Sequence, residues 1–156
     1  MWYLIFNIAL AELAGIIGSL ATFAAIPNWY QFLNKPWFSP PNWIFGPVWT
    51  TLYAFMGTAA YLVWRRGSRS RSAKHFFQLY YLQLGLNTAW SLVFFGLKDI
   101  LLALVVIIFL WTFIVQMIRA TYELKLASAA YLLWPYLAWV TFATILNLSI
   151  LLLNWP

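Results

Sequence analysis

Five apolar segments, near residues 3–26, 43–64, 76–97, 100–119 and 129–153, each approach the ~20 residues a helix needs to span the hydrocarbon core of a bilayer. No water reaches that core, so a spanning backbone must satisfy its own polar groups as a helix or a closed barrel. None of the segments sustains a strand alternation, and unbroken apolarity of this length reads as helix. The fold predicted is an all-α integral membrane protein, a five-transmembrane-helix bundle forming a single domain over residues 1–156. Composition agrees: 65% of residues are hydrophobic and 8% charged, where a soluble domain carries roughly 25% charged residues. No cationic leader with a small-residue cleavage site opens the chain, so the first span is expected to persist in the mature protein.

The shortest connection, Gly96-Leu97-Lys98-Asp99, makes spans three and four antiparallel neighbours. The formal charge is +6, but its distribution argues against nucleic acid. Arg65, Arg66, Arg69, Arg71 and Lys74 lie together beside a span, where cations set topology and touch anionic membrane lipid. The positive-inside rule then expects the N-terminus and the basic loop 65–75 on the cytoplasmic side of a bacterial inner membrane. The connector between spans one and two faces outward.

That connector is unusual. From Trp29 to Trp49 it reads WYQFLNKPWFSPPNWIFGPVW, with Pro36, Pro40, Pro41 and Pro47 stiffening its backbone. Aromatic rings held on a stiff loop describe a lid over something flat and apolar.

Two spans carry polar residues in register. In span five Trp139, Ala143 and Asn147 fall at i, i+4, i+8, with Tyr136 adjoining; in span three Gln83, Asn87, Trp90 and Phe94 share a face. Amides facing lipid are unfavourable, so both faces are expected to point into the bundle. Such amides serve either as interhelical glue or as ligand contacts. Tryptophans likewise serve as interfacial anchors, which suits Trp2, Trp64 and Trp155, or as binding faces, which suits the deeper Trp90 and Trp139. Glu12 is the one acid well inside a span: a functional carboxyl, or a protonated one bonded across the bundle. Ala11, Gly15 and Ser19 make a small-residue ridge beside it, suited to close helix packing.

Conventional catalytic chemistry has little to work with. Cysteine is absent, and His75, the only histidine, has no second metal ligand at usable spacing. Asp99 and His75 belong to loops on opposite sides, which breaks any Ser-His-Asp arrangement.

Three runs, WYQFLNKPWFSPPNWIFGPVWTTLYAFMG (29–57), LNTAWSLVFFG (86–96) and PYLAWVTFATILN (135–147), resemble the tryptophan-rich sensory protein and translocator protein family, TspO/MBR, which includes the peripheral-type benzodiazepine receptor. The resemblance covers essentially the whole chain. It implies a five-helix bundle, commonly a homodimer, whose first loop caps a cavity for porphyrin or haem as ligand, with no obligatory cofactor and no metal site. Matched by motif, the ligand-binding residues implied are Tyr30 and Pro40 in the loop, Trp49, Asn87, Trp90, Trp139, Ala143 and Asn147. In some bacterial members a tryptophan pair is implicated in light-dependent porphyrin breakdown, which makes Trp49 and Trp139 the candidate catalytic residues.

The chain departs from the animal members twice. Leu102 stands where they carry a tryptophan, and residues 148–154 lack the tyrosine and cation of their sterol motif. Cholesterol is therefore not expected as the native ligand. The leading expectation is a tetrapyrrole-binding sensor or translocator, with Lys35 at the lid as a partner for ligand carboxylates. The alternatives are a light- and oxygen-dependent porphyrin-degrading catalyst and a scaffold recruiting partner proteins.

Overall fold

Why the chain closes into a ring of helices follows from how its polar residues are distributed. The computed structural model describes residues 1–67 and 70–155; Arg69 of the basic loop lies outside them. Five helices follow one another: α1 (Trp2–Asn28), α2 (Phe45–Gly67), α3 (Arg71–Ser91), α4 (Ile100–Glu123) and α5 (Ala127–Leu153). By length and composition α1, α4 and α5 are apolar enough to cross a membrane unaided. The other two are diluted by polar groups: Arg65 and Arg66 end α2, and α3 carries Gln83 and Asn87. Those two amides are buried. The polar faces have turned inward, as they must where the surroundings are hydrocarbon.

Around the ring the order is α1, α2, α5, α4, α3 and back to α1, each helix packing on its two neighbours. Spans three and four are antiparallel neighbours, as the short turn requires. Observed boundaries differ from the expected ones at the ends. Asn42–Ile44 form a 3-10 turn before α2, and α3 gives way to a wider π turn at Leu92–Leu97. Lys98 then takes a left-handed conformation (φ 59°). The Asp99 carboxylate accepts from the Leu102 N–H at 2.9 Å, capping α4, while the Ser70 hydroxyl accepts from the Ala73 N–H to cap α3.

The small-residue ridge of α1 packs internally. A Cβ on Gly15 would sit 2.1 Å from the Tyr53 ring, and one on Gly18 3.0 Å from Ser91. From the facing helix, a Cβ on Gly57 would meet the Ile8 backbone at 2.6 Å. These close approaches hold α1 against α2 and α3, the use to which small residues are put where helices meet in membranes. Gly85, on the outer side of α3, has open space around it.

Candidate functional site

A chain of side-chain hydrogen bonds crosses the bundle centre. The Tyr53 hydroxyl donates to Asn87 Oδ1 (2.7 Å), Asn87 Nδ2 donates to the Tyr136 hydroxyl (3.3 Å), and Tyr136 donates to Gln83 Oε1 (2.7 Å). Gln83 Nε2 ends the chain on the Met56 sulfur at 3.5 Å. Tyr53 and Met56 come from α2, Gln83 and Asn87 from α3, Tyr136 from α5. The network ties three helices together, and Asn87, only 3% exposed, is committed to it.

Nearer the loop a second polar tie joins α3 to α5. Trp90 Nε1 donates to Asn147 Oδ1 at 3.1 Å, and Asn147 Nδ2 donates to the Ile100 carbonyl at 3.0 Å, fixing the start of α4 as well. Trp90 stacks on Phe94, with ring centroids 5.3 Å apart. Tyr30 closes over this layer from the loop, edge-on to Phe94 and Phe95 and almost fully buried. Burial raises the Tyr30 pKa above its ordinary value, and a hydrogen bond with Ser39 pulls it partly back.

The first half of the loop is fastened twice, at Lys35 and at Asn34. Lys35 Nζ lies 4.9 Å from the Tyr30 ring centroid and donates to the carbonyls of Tyr30, Leu33 and Gln31 at 2.9, 3.1 and 3.3 Å. Its three protons are spent on the loop's own backbone, a role different from the carboxylate partner expected of it. Across the bundle mouth, the Asn34 N–H donates to Asn154 Oδ1 (3.0 Å) and Asn154 Nδ2 returns a bond to the Asn34 carbonyl (2.9 Å). Trp37 and Trp43 project outward, 95% and 73% exposed.

Beneath the loop, between α1 and α2, lies a cavity of about 370 Å³. Trp49, Tyr53, Trp90 and Tyr30 supply much of its aromatic lining, and Gly15 and Ser19 supply part of the α1 wall. Trp49 stacks on Tyr53 at 5.3 Å. A smaller void of about 20 Å³ lies further in, bordered by Trp90, Ala143 and Asn147.

The expected binding residues therefore divide. Tyr30, Trp49 and Trp90 line the larger cavity; Tyr30, Trp90, Ala143 and Asn147 border the smaller void. Asn87 lies in the network and borders neither. Trp139 packs edge-on against Phe45 (5.9 Å), its buried Nε1 lacking a partner among the described residues, and Pro40 is half-buried in the loop. Trp49 lines the larger cavity, and Trp139 borders neither of these two. Tyr53 was missed from the sequence, although it stands one helical turn after Trp49 on the same face; that spacing was the available signal. The α1 wall was missed because small residues read as packing alone. Among the described residues no cluster of metal ligands occurs.

Comparison with known proteins identifies relatives along most of the chain. Residues 7–153 match the model of the TspO/MBR family. A tryptophan-rich protein TspO of Archaeoglobus fulgidus is 45% identical over 148 residues, covering 93% of each chain. A tryptophan-rich sensory protein of Cereibacter sphaeroides is 39% identical over 88% of this chain and 86% of its own. A translocator protein of Bos taurus is also 39% identical, over 88% of this chain and 82% of its own. With a ring of five helices, an aromatic loop latched over a cavity, and relatives matched along nearly their full length, this integral membrane protein belongs to the TspO/MBR family.

Proposed function

We propose that this protein is a membrane sensor or translocator that holds a tetrapyrrole, porphyrin or haem, in the cavity beneath its first loop. One observation carries the reading: a slot of about 370 Å³ walled by Trp49, Tyr53, Trp90 and Tyr30 under a stiff, latched loop. That volume falls within the ~300–1,000 Å³ of small-molecule sites. A tetrapyrrole is flat and largely apolar, and each aromatic pair contributes about 0.5–1.5 kcal/mol beyond area burial. Its propionates would lie at the loop end, where Asn42 borders the cavity. The names of the relatives, sensory and translocator protein, support the broader role. The basic residues Arg65, Arg66, Arg71 and Lys74 share the end of the bundle opposite the aromatic loop, which supports a cytoplasmic N-terminus. In this reading the protein works as a homodimer in the membrane, and cholesterol is not its ligand.

The test is a dark titration of purified protein with protoporphyrin IX, followed by tryptophan quenching. Saturable binding, weakened at least ten-fold by both Trp49→Ala and Trp90→Ala, supports the reading. Quenching that never saturates and ignores both substitutions would mean pigment dissolving in detergent, and the reading falls. The catalytic alternative draws on Trp49 lining the cavity: illumination of the complex should then bleach porphyrin, and Trp49→Phe should bind without bleaching.

A further inference from the structure

Glu12 sits at the deep end of the cavity, and nothing described so far employs it. From Ile26 to Glu12 the α1 wall descends about 21 Å at 1.5 Å per residue, so the slot reaches from the loop to mid-membrane. The other polar side chains of its α1 wall, and the Tyr53 hydroxyl opposite, are already engaged. Ser19 Oγ donates to the Ile16 carbonyl at 2.7 Å, Thr22 Oγ1 to the Gly18 carbonyl at 3.3 Å, and the Tyr53 hydroxyl to Asn87. Among the described residues none hydrogen-bonds or ion-pairs with the Glu12 carboxyl. α1 holds no lysine or arginine at any depth. A carboxylate in that position calls for a positive partner. Its surroundings favour one too, since the faces of Trp49 and Tyr53 attract cations and repel anions. Ile16 and Phe23, which border the slot, are 57% and 72% exposed on the outer side of α1, so its mouth opens sideways to lipid.

We infer that Glu12 makes the deep end of this cavity a subsite for a protonated amine carried on an aromatic, membrane-soluble body. Such a molecule enters laterally between α1 and α2, seats its rings against Trp49 and Tyr53, and places its ammonium group on the Glu12 carboxylate. The same charge sets the orientation of an anionic ligand: carboxylates are turned away from the deep end and toward the loop. This inference rests on the reading of the cavity as the ligand site.

The experiment compares N-hexyl-1-naphthylmethylamine with its neutral isostere, hexyl 1-naphthylmethyl ether. Both are titrated into protein in phosphatidylcholine nanodiscs, with empty nanodiscs correcting for partition. The wild type should bind the amine at least ten-fold more tightly than the ether. Glu12→Gln should bring the two affinities within two-fold while leaving the ether unchanged, which also reports an intact fold. Should Glu12→Gln not fold, Glu12→Asp carries the test: withdrawing the carboxyl by one methylene should weaken the amine several-fold and spare the ether. Equal binding of amine and ether by the wild type overturns the inference, as does an amine preference that survives Glu12→Gln or is untouched in Glu12→Asp. Protoporphyrin IX is titrated alongside. If it binds and neither naphthyl probe does, the Glu12 subsite alone falls; if none of the three binds, the cavity reading falls with it.

Discussion

The indole N–H of Trp90 and the side-chain oxygen of Asn147 are 3.1 Å apart, and this one bond ties α3 to α5 directly below the loop. Asn147 also holds the Ile100 carbonyl, so a single amide fixes three helices at the mouth of the bundle. Asn147→Ala should therefore lower stability by about 1–3 kcal/mol, the usual consequence of leaving a buried donor unpaired. It should also free the Trp90 ring. Thermal unfolding in detergent measures the first effect, and a weaker porphyrin titration measures the second.

Tyr136 both accepts from Asn87 and donates to Gln83. Tyr136→Phe strands two buried groups, whereas Tyr53→Phe strands only Asn87 Oδ1. The Tyr136 variant should lose more stability, about 1–3 kcal/mol. Unfolding of both variants in mixed micelles provides the comparison. Equal losses would mean the network fails as one unit whichever link is cut.

Gly15 has no room for a side chain. Gly15→Ala forces the Tyr53 ring away from α1 and should cost about 1–3 kcal/mol through overpacking. It should weaken ligand binding as well, since Tyr53 walls the cavity. Gly85→Ala, facing open space, should change stability and binding little, within about 0.5 kcal/mol. A large effect of Gly85→Ala on signalling in cells, with binding intact, would instead favour the scaffold alternative.

The reciprocal bonds between Asn34 and Asn154 hold the loop shut without belonging to the helix core. Asn154→Ala should raise the porphyrin dissociation rate several-fold while moving the melting temperature by only a few degrees. Stopped-flow displacement and a thermal melt separate the two. A large melting shift with an unchanged off-rate would show that the pair serves the fold and leaves ligand exchange to other contacts.

Much of this architecture was legible in the chain because hydrocarbon imposes a length. Five segments near twenty residues announce five spans, and Gly96–Asp99 is too short for anything except an antiparallel turn. The inward turn of Asn87, Gln83 and Asn147 was legible for the same reason: an amide cannot face lipid without loss. What those amides do once inside was not. Whether Asn87 meets a ligand or the Tyr53 and Tyr136 hydroxyls depends on which helices are neighbours, and no periodicity along one helix contains the order around a ring. Lys35 shows the same limit at shorter range. Its charge was visible, but the three carbonyls that consume it appear only once the 3-10 turn at Tyr30–Phe32 has formed.

The ring order carries a consequence for biogenesis. α5 leaves the ribosome after the other four helices, yet its place is between α2 and α4. Until it inserts, the bundle is an open arc in which Gln83 and Asn87 lack the Tyr136 hydroxyl, and the loop lacks Asn154. Its arrival is the step at which the arc becomes a barrel of helices, the central relay acquires its missing link, and the lid is fastened. A nascent chain halted before residue 127 would thus sit in the membrane with its polar interior unsealed and its loop unfastened.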